Sequence, residues 1–218
     1  MRIRYKKWAR PELAACPYYY QDGTSNKGCW REKFIKKSAP LYAELGCGKG
    51  AFIAEAAFIH QNINFIACDI KSEMLAYTRR KAVKRFEEEG LQPANLVLLT
   101  LNIEKTETVF GEGELDRIYI NFCPPWKRES DYKHRLTHPR QLLQYIKILK
   151  PGGEIHFKTD DDTLFEDSLV YFEECGFMIL RIERDLHRSS YTENIITEHE
   201  KMFSEEGKKI KFGIFVNT

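Results

Sequence analysis

A loop with three alternating glycines is the segment whose residue types best suit ligand binding. Residues 44–50 read Glu-Leu-Gly-Cys-Gly-Lys-Gly and lie between an apolar run and a helical pattern. Gly46, Gly48 and Gly50 would bring bare backbone N–H groups up to a ligand, because side chains there would block the approach. Their spacing matches neither the G-x-G-x-x-G of dinucleotide sites nor a G-x-x-x-x-G-K-[ST] phosphate loop. Glu44 would repel a pyrophosphate but suits a cationic, amino-acid-like ligand such as S-adenosylmethionine. A plain strand-to-helix turn is the alternative.

Polar side chains also end the next two predicted strands. Asp69 comes nineteen residues after Gly50. A carboxylate there can accept hydrogen bonds from both ribose hydroxyls of an adenosine-containing ligand. The alternative is that it caps the helix that begins near Ser72. Asn102 could hydrogen-bond an adenine edge or simply form a turn.

Three later clusters are further candidates for binding. Residues 121–126 read Asn-Phe-Cys-Pro-Pro-Trp, and the prolines hold this loop rigidly, so that Trp126 either walls a base pocket or covers the end of the sheet. Asp160 begins a run of three carboxylates and could accept a hydrogen bond from a substrate base, although such a run also commonly starts a helix. Thr197 and Glu200 have the spacing of a helix capping box.

Alternating strand and helix patterns position these residues. The strands are predicted at 41–45, 64–70, 95–102, 115–122, 154–158, from 177, and at 210–216; the helices at 51–60, 71–90, 137–149 and 162–175, with a sharp turn at 150–153. This succession predicts an α/β fold with a mostly parallel sheet and helices on both faces. Ligands of such sheets bind beyond the carboxyl ends of the strands, which is where the candidate residues lie.

Composition predicts one soluble domain spanning residues 1–218. The chain has 218 residues, of which 43% are hydrophobic and 30% charged. No signal peptide or membrane span is predicted. The six cysteines form no C-x-x-C pair, which argues against a zinc site and a disulfide framework and favours the reducing cytoplasm. We therefore expect no metal.

The positive charge is concentrated in two segments. Residues 1–37 hold ten Lys and Arg against three Asp and Glu, and residues 127–147 form a second basic island. Residues 2–8 mix cations with aromatic rings and lack regular periodicity, which is typical of an arm that contacts phosphates and bases. The two segments favour a polyanionic partner, with solvated surface charge as the alternative.

Taken together, these segments resemble the bacterial tRNA (guanine-N7-)-methyltransferase family over nearly the whole chain. The basic start at residues 1–9 resembles the family's N-terminal arm, and residues 44–50 resemble its S-adenosylmethionine loop. Residues 119–122, 125–126 and 135–137 follow its fourth-strand motif. Residues 157–160 with 164–166, and the run from Thr197 to Gly207, match its fifth-strand and C-terminal motifs.

The resemblance implies a Rossmann-like class I methyltransferase fold with a seven-stranded sheet, S-adenosylmethionine as cofactor and tRNA as partner. Asn102 and Pro124 both stand where the family has Asp, and the Asp at position 124 is the one usually given the catalytic role. Asp160 is our candidate for a catalytic group. By the same resemblance Glu44, Asp69 and Asn102 would contact the cofactor, and Asp160 and Thr197 through Glu200 would hold the guanosine. We add Gly46, Gly48, Gly50 and Asn121 as candidate cofactor contacts and Arg128 as a candidate substrate contact.

The expected activity is methyl transfer to N7 of a guanosine in tRNA. Pro124 favours one alternative, a catalytically impaired tRNA-binding paralogue that retains the cofactor pocket. A small-molecule methyltransferase is a third possibility, but it leaves the basic arm unexplained. The sequence does not distinguish a monomer from a homodimer.

Overall fold

Eight strands form one mixed sheet in the computed structural model, which describes residues 5–218. The strands are β1 (Tyr19–Tyr20), β2 (Leu41–Leu45), β3 (Asn64–Asp69), β4 (Leu96–Thr100), β5 (Leu115–Asn121), β6 (Leu149–Thr159), β7 (Met178–Glu183) and β8 (Lys211–Val216). The helices are α1 (Ala9–Ala14), α2 (Ala51–Ile59), α3 (Ser72–Glu87), α4 (Thr106–Val109), α5 (Pro139–Ile148), α6 (Asp162–Glu174) and α7 (Glu198–Glu205). The single sheet supports our proposal that the chain forms one domain.

The strand order confirms the predicted mostly parallel α/β architecture. The order is β1-β4-β3-β2-β5-β6-β8-β7, and β8 runs antiparallel to both of its neighbours. Chain order reverses between β2 and β5, so the carboxyl ends of these two adjacent strands border a crevice where ligands of such sheets bind. The central strands are almost continuously buried, as parallel strands covered on both faces should be.

Helices cover both faces of the sheet, each over its own hydrophobic core. On one face α1, α2 and α3 bury residues such as Leu13, Phe52 and Leu75. On the other, α4, α5 and α6 bury a larger core that includes Tyr145 and Phe165. None of the helices within residues 5–218 is both long and apolar enough to cross a membrane.

The N-terminal extension is more ordered than its irregular sequence suggests. Residues 1–4, the first part of the predicted arm, lie outside the described residues, but α1 forms where we expected irregular chain. Pro11 is tolerated because it lies in the first turn, where its missing N–H would have no helical partner. Ala9 and Leu13 are one turn apart and both buried. Glu12 pairs with Arg79 at 2.8 Å and so fastens α1 to α3.

Two features of the sheet differ from the sequence prediction. The eighth strand is β1, a two-residue edge strand that pairs with β4, and Tyr19 there hydrogen-bonds Thr100 at 2.9 Å. The predicted turn at residues 150–153 instead belongs to β6. Leu115 pairs with Leu149 while Arg117 pairs with Glu154, so the extra residues are absorbed by an irregularity in the ladder.

The buried carboxylate of Glu114 anchors the segment between β1 and β2. Its Oε1 accepts a hydrogen bond from the backbone N–H of Trp30 at 2.7 Å, and its Oε2 accepts from Gly28 and Gly111 at 2.9 and 2.7 Å. Trp30 is completely buried in the core that this segment covers. Glu114 therefore satisfies three backbone donors at once.

We expect Glu114→Ala to lower the free energy of unfolding by about 3 kcal/mol, because buried N–H groups lose their acceptor. Glu112 is exposed two residues earlier, which makes Glu112→Ala a matched control that should be near neutral. Urea denaturation of the two variants and the native chain measures both values. Equal stability of the two variants would contradict the anchoring role of Glu114.

Candidate active site

Two adjoining cavities lie at the carboxyl ends of the central strands. The larger, about 320 Å³, is lined by Asp69 and is called here the Asp69 cavity; the smaller, about 150 Å³, is lined by Glu44 and is called the Glu44 cavity. Gly46 and Phe122 line both. The two cavities therefore meet where β2 and β5 end, at the reversal of strand order.

The glycine loop is held rigidly by its neighbours. The N–H groups of Gly46 and Cys47 both donate to the carbonyl oxygen of Cys68 at 2.9 Å. Gly50 has φ of +74°, and a Cβ there would collide with Thr78 on α3, so only glycine fits. The loop is a tight strand-to-helix turn, but it also walls both cavities. The alternative of a plain turn does not account for the second property.

Glu44 presents an unsatisfied carboxylate oxygen in the smaller cavity. Its side chain is 2% exposed, and Oε1 accepts a hydrogen bond from Asn121 Nδ2 at 2.9 Å. Among residues 5–218 neither Glu44 Oε2 nor the buried Asn121 Oδ1 has a partner. Burial raises the pKa of Glu44 to about 8, against the opposing effect of Asn121. Two orphaned acceptors in one cavity fit a cationic donor such as the ammonium group of S-adenosylmethionine.

Asp69 borders the larger cavity with acceptor capacity to spare. Its Oδ2 accepts from the Gly48 N–H at 3.0 Å and its Oδ1 from the Lys71 N–H at 2.9 Å. Burial raises its pKa, and these backbone donors oppose the shift. The helix α3 has Lys71 as its N-cap residue, so Asp69 is not the helix cap that the sequence left open. A carboxylate accepts about four hydrogen bonds, which leaves two for ribose hydroxyls.

The remaining walls of the Asp69 cavity suit a flat ring. Asn102 caps a short 3-10 helix through Oδ1, which accepts from the Glu104 N–H at 3.1 Å, while its Nδ2 can still donate to a base edge. Trp126 lines the cavity and packs against His134 with ring centroids 5.4 Å apart. Phe122 and Trp126 both have positive φ, at 51° and 45°, which is strained for such residues and typical of functional loops.

The four residues predicted to contact substrate are not equally placed. Thr197 lines the Glu44 cavity, and Arg128 is exposed shortly after Trp126. Asp160 lies at the end of β6, with Oδ2 3.6 Å from Lys208 Nζ, and lines neither of the two cavities. Glu200 is completely buried and forms the capping box with Thr197 that the spacing indicated. Because Glu200 is buried, a role other than direct contact with the guanosine has to be considered for it.

The basic island of residues 127–147 is only partly available to a polyanion. Arg135 is 1% exposed, pairs with Asp167 at 2.6 Å and donates to the carbonyl oxygen of Pro125 at 2.7 Å, so it supports the proline loop from within. Lys147 pairs with Glu107 at 3.1 Å. Lys127 and Arg128 are exposed, and Lys127 Nζ lies 3.9 Å from Asp161 Oδ2.

Sequence reasoning missed the polar framework behind the site. Lys158 is buried and hydrogen-bonds Asn194, Ile195 and Glu200, which are distant in sequence. Its only signal was its place in the quoted run of residues 157–160. The apolar lining of the Asp69 cavity by Leu101, Ile103 and Leu136 was also not predicted.

The family profile and the sequence relatives that match this chain are all described as methyltransferases. A family profile described as "Putative methyltransferase" matches residues 38–212. The chain is 51% identical over 213 residues to the tRNA (guanine-N(7)-)-methyltransferase of Clostridium perfringens (strain SM101 / Type A), with 97% of each chain covered. It is 54% identical over 214 residues to the protein of the same name from Ruminiclostridium cellulolyticum, with 97% of this chain and 90% of that relative covered.

Solved structures resemble the chain in fold. The 16S rRNA methyltransferase KamB superposes with a TM-score of 0.61 at 12% identity, and an antibiotic-related methyltransferase with 0.59 at 18% identity. Each comparison covers 85% of this chain and 89% of the other. At such low identity the likeness concerns the fold alone, and it confirms the Rossmann-like methyltransferase architecture.

Glu44→Gln should remove a proton release that accompanies S-adenosylmethionine binding. With its pKa raised to about 8, Glu44 is mostly protonated in the free protein at pH 7, and a cationic ligand favours its ionised form. Binding is therefore expected to release protons from this group in the native chain, and none in the variant. We expect affinity to fall on the order of 10- to 100-fold.

Calorimetry at pH 7 in buffers of different ionisation enthalpy measures the number of protons released. Glu55→Gln is the matched control, because that carboxylate pairs with Arg85 at 2.8 Å and lines neither cavity. Identical proton release by the native chain and Glu44→Gln would contradict the proposal that Glu44 contacts the cofactor.

Proposed function

The chain belongs to the tRNA (guanine-N(7)-)-methyltransferase family, and from that premise we propose that it transfers the methyl group of S-adenosylmethionine to N7 of a guanosine in tRNA. The observation that carries this proposal is the match to enzymes of that name at 51 to 54% identity over 97% of the chain. The orphaned carboxylate oxygen of Glu44 supports it independently, because it suits the cationic donor.

The chemistry asks the protein mainly for alignment. Guanine N7 carries an in-plane lone pair and loses no proton when it is methylated, so the reaction needs no general base. S-adenosylmethionine, when bound, supplies a methyl group activated by the positive charge on its sulfur. Precise orientation of two reactants can contribute about 7–11 kcal/mol to lowering a barrier. A rigid glycine loop and a strained proline loop are suited to that task.

We assign roles in binding S-adenosylmethionine to residues of both cavities. Glu44 and Asn121 would accept hydrogen bonds from its ammonium group, and Asp69 from its ribose hydroxyls. Asn102 would donate to the adenine edge, while Gly46, Gly48 and Gly50 keep the backbone clear for close approach. These residues line the cavities with the polarity that the donor requires.

A carboxylate can assist by offsetting the positive charge that develops on the methylated purine. Asp160 is our candidate for this role, although it lines neither cavity and its Oδ2 lies 3.6 Å from Lys208 Nζ. We propose that Thr197 and Arg128 contact the guanosine. Pro124 stands where the family has Asp, and it favours the alternative of a paralogue that binds tRNA without turnover. The shared name of relatives at about half identity favours the enzyme.

The tRNA would be gripped through its phosphates by exposed cations. Lys127 and Arg128 are exposed and directly follow Trp126, which lines the Asp69 cavity. The basic N-terminal arm would extend this surface. Because free tRNA is a cytoplasmic substrate, we place the protein in the cytoplasm.

Incubation with an unmodified tRNA transcript and S-adenosylmethionine should yield 7-methylguanosine, detected by mass spectrometry of the digested nucleosides. A transcript made with 7-deazaguanosine lacks the nucleophilic nitrogen and is the matched control, which should remain unmethylated. Binding of both tRNA and donor without any product would establish the non-enzymatic paralogue instead.

Binding of tRNA should weaken steeply with salt, because each phosphate contact releases counterions. Arg128→Ala should reduce the slope of log affinity against log salt by about 1. Lys147→Ala is the control and should leave the slope unchanged, since Lys147 lies at the far end of α5 and pairs with Glu107. Filter binding at several salt concentrations measures the slopes. A slope that Arg128→Ala leaves intact would exclude its phosphate contact.

A further inference from the structure

Two buried, oppositely charged side chains face each other behind the Glu44 cavity. Lys158 on β6 and Glu200 on α7 are 4% and 0% exposed, and Lys158 Nζ lies 3.0 Å from Glu200 Oε2. A buried ion pair is weak evidence for stability, because desolvation of the charges offsets much of their attraction. Its position, between the sheet and the segment that walls the cavity, is the more informative property.

The carboxylate of Glu200 has no capacity left for a substrate. Its Oε1 lies 2.8 Å from His187 Nε2 and accepts from Asn194 Nδ2 at 2.6 Å. Its Oε2 accepts from Lys158 and, at 3.4 Å, from the N–H of Thr197. A carboxylate offers about four acceptor positions, so these four groups fill it. A guanosine could be bound by Glu200 only if one of them were displaced.

Lys158 ties an irregular segment to the end of the sheet. Residues 189–197 form neither helix nor strand. Lys158 Nζ donates to Asn194 Oδ1 at 2.7 Å and to the carbonyl oxygen of Ile195 at 2.9 Å. The carbonyl oxygen of Lys158 accepts from the N–H of Phe122 at 2.9 Å. One residue therefore fixes both the strained loop after β5 and the segment opposite it.

The segment held in this way leads directly into a wall of the Glu44 cavity. Thr197, its last residue, and Glu198 and His199 of α7 line that cavity together with the glycine loop. His199 stacks on Phe122, with ring centroids 6.1 Å apart and planes at 24°. A shift of residues 189–197 would therefore move the surface that faces the reacting groups.

We propose that Lys158 and Glu200 are positioning residues, which hold Thr197 and His199 in place for the guanosine, and that Glu200 does not itself contact the substrate. The expected effect on kcat/KM rests on the proposed function. The clamp itself is a property of the chain that can be measured without turnover.

The test compares Glu200→Gln, Lys158→Met and the double variant with the native chain. Gln at this position preserves the capping box with Thr197, so Glu200→Gln removes the charge without removing the cap. Glu200→Gln leaves Lys158 without its carboxylate partner, and Lys158→Met removes the donor to Asn194, Ile195 and Glu200. We expect both single variants to lower kcat/KM for tRNA on the order of 10²-fold, as displaced positioning groups do.

The double variant should lie within about threefold of the worse single variant, because both changes disrupt one clamp and their effects should not add. Direct contact of Glu200 with the guanosine predicts instead that Glu200→Gln lowers kcat/KM without changing the hydrogen exchange of residues 189–197. Additive losses in the double variant, or a loss in Glu200→Gln with native exchange, therefore overturn the proposal. If one single variant fails to fold, the other single variant and the double variant are compared in the same way.

Hydrogen exchange of residues 189–197 separates this inference from the proposed function. Exchange in this segment should be faster in all three variants than in the native chain, whether or not the protein methylates tRNA, because each variant loses part of the clamp. Unchanged exchange in all three variants would overturn the clamp. Absence of 7-methylguanosine from the native chain with intact exchange differences would instead overturn the proposed function alone.

Discussion

The buried carboxylate of Glu44, half satisfied by Asn121, is the constraint around which the site is organised. The two side chains meet because β2 and β5 are neighbours at the point where strand order reverses. Burying an acceptor without a partner costs free energy that a bound donor can recover. The sheet therefore places unsatisfied hydrogen-bond acceptors at the position proposed for the ligand. The raised pKa of Glu44 has the same cause, since burial without a cationic partner favours the protonated carboxyl group.

Many Lys and Arg side chains form ion pairs within the protein, and these pairs limit which of the side chains can contact a polyanion. Arg79 and Arg80 are engaged by Glu12, and Arg135 lies beneath the proline loop with Asp167. Arg79 and Arg80 thereby hold α1 on α3, and Arg135 supports the proline loop. Our proposal for Lys158 and Glu200 applies the same principle behind the Glu44 cavity. Net charge alone would therefore overstate the surface available to RNA.

Features encoded by adjacent residues could be predicted from the sequence, whereas those that depend on distant partners could not. The position of the glycine loop and of Asp69 at strand ends is confirmed, because each directly follows an apolar run that forms a strand. Glu200 has the spacing of a capping box, and that was confirmed, but its partner Lys158 is 42 residues away and leaves no local pattern. The same holds for α1, whose order comes from docking on α3. The placement of Asp160 as a catalytic group stays a prediction.

A crystal structure of the protein with bound S-adenosylmethionine tests the central claim most directly. The account predicts the ammonium group within hydrogen-bond distance of Glu44 Oε2 and Asn121 Oδ1, the two acceptors that lack partners among residues 5–218, with the ribose against Asp69. A donor bound elsewhere on the sheet, or in the same crevice with Glu44 left without a cationic partner, would contradict it.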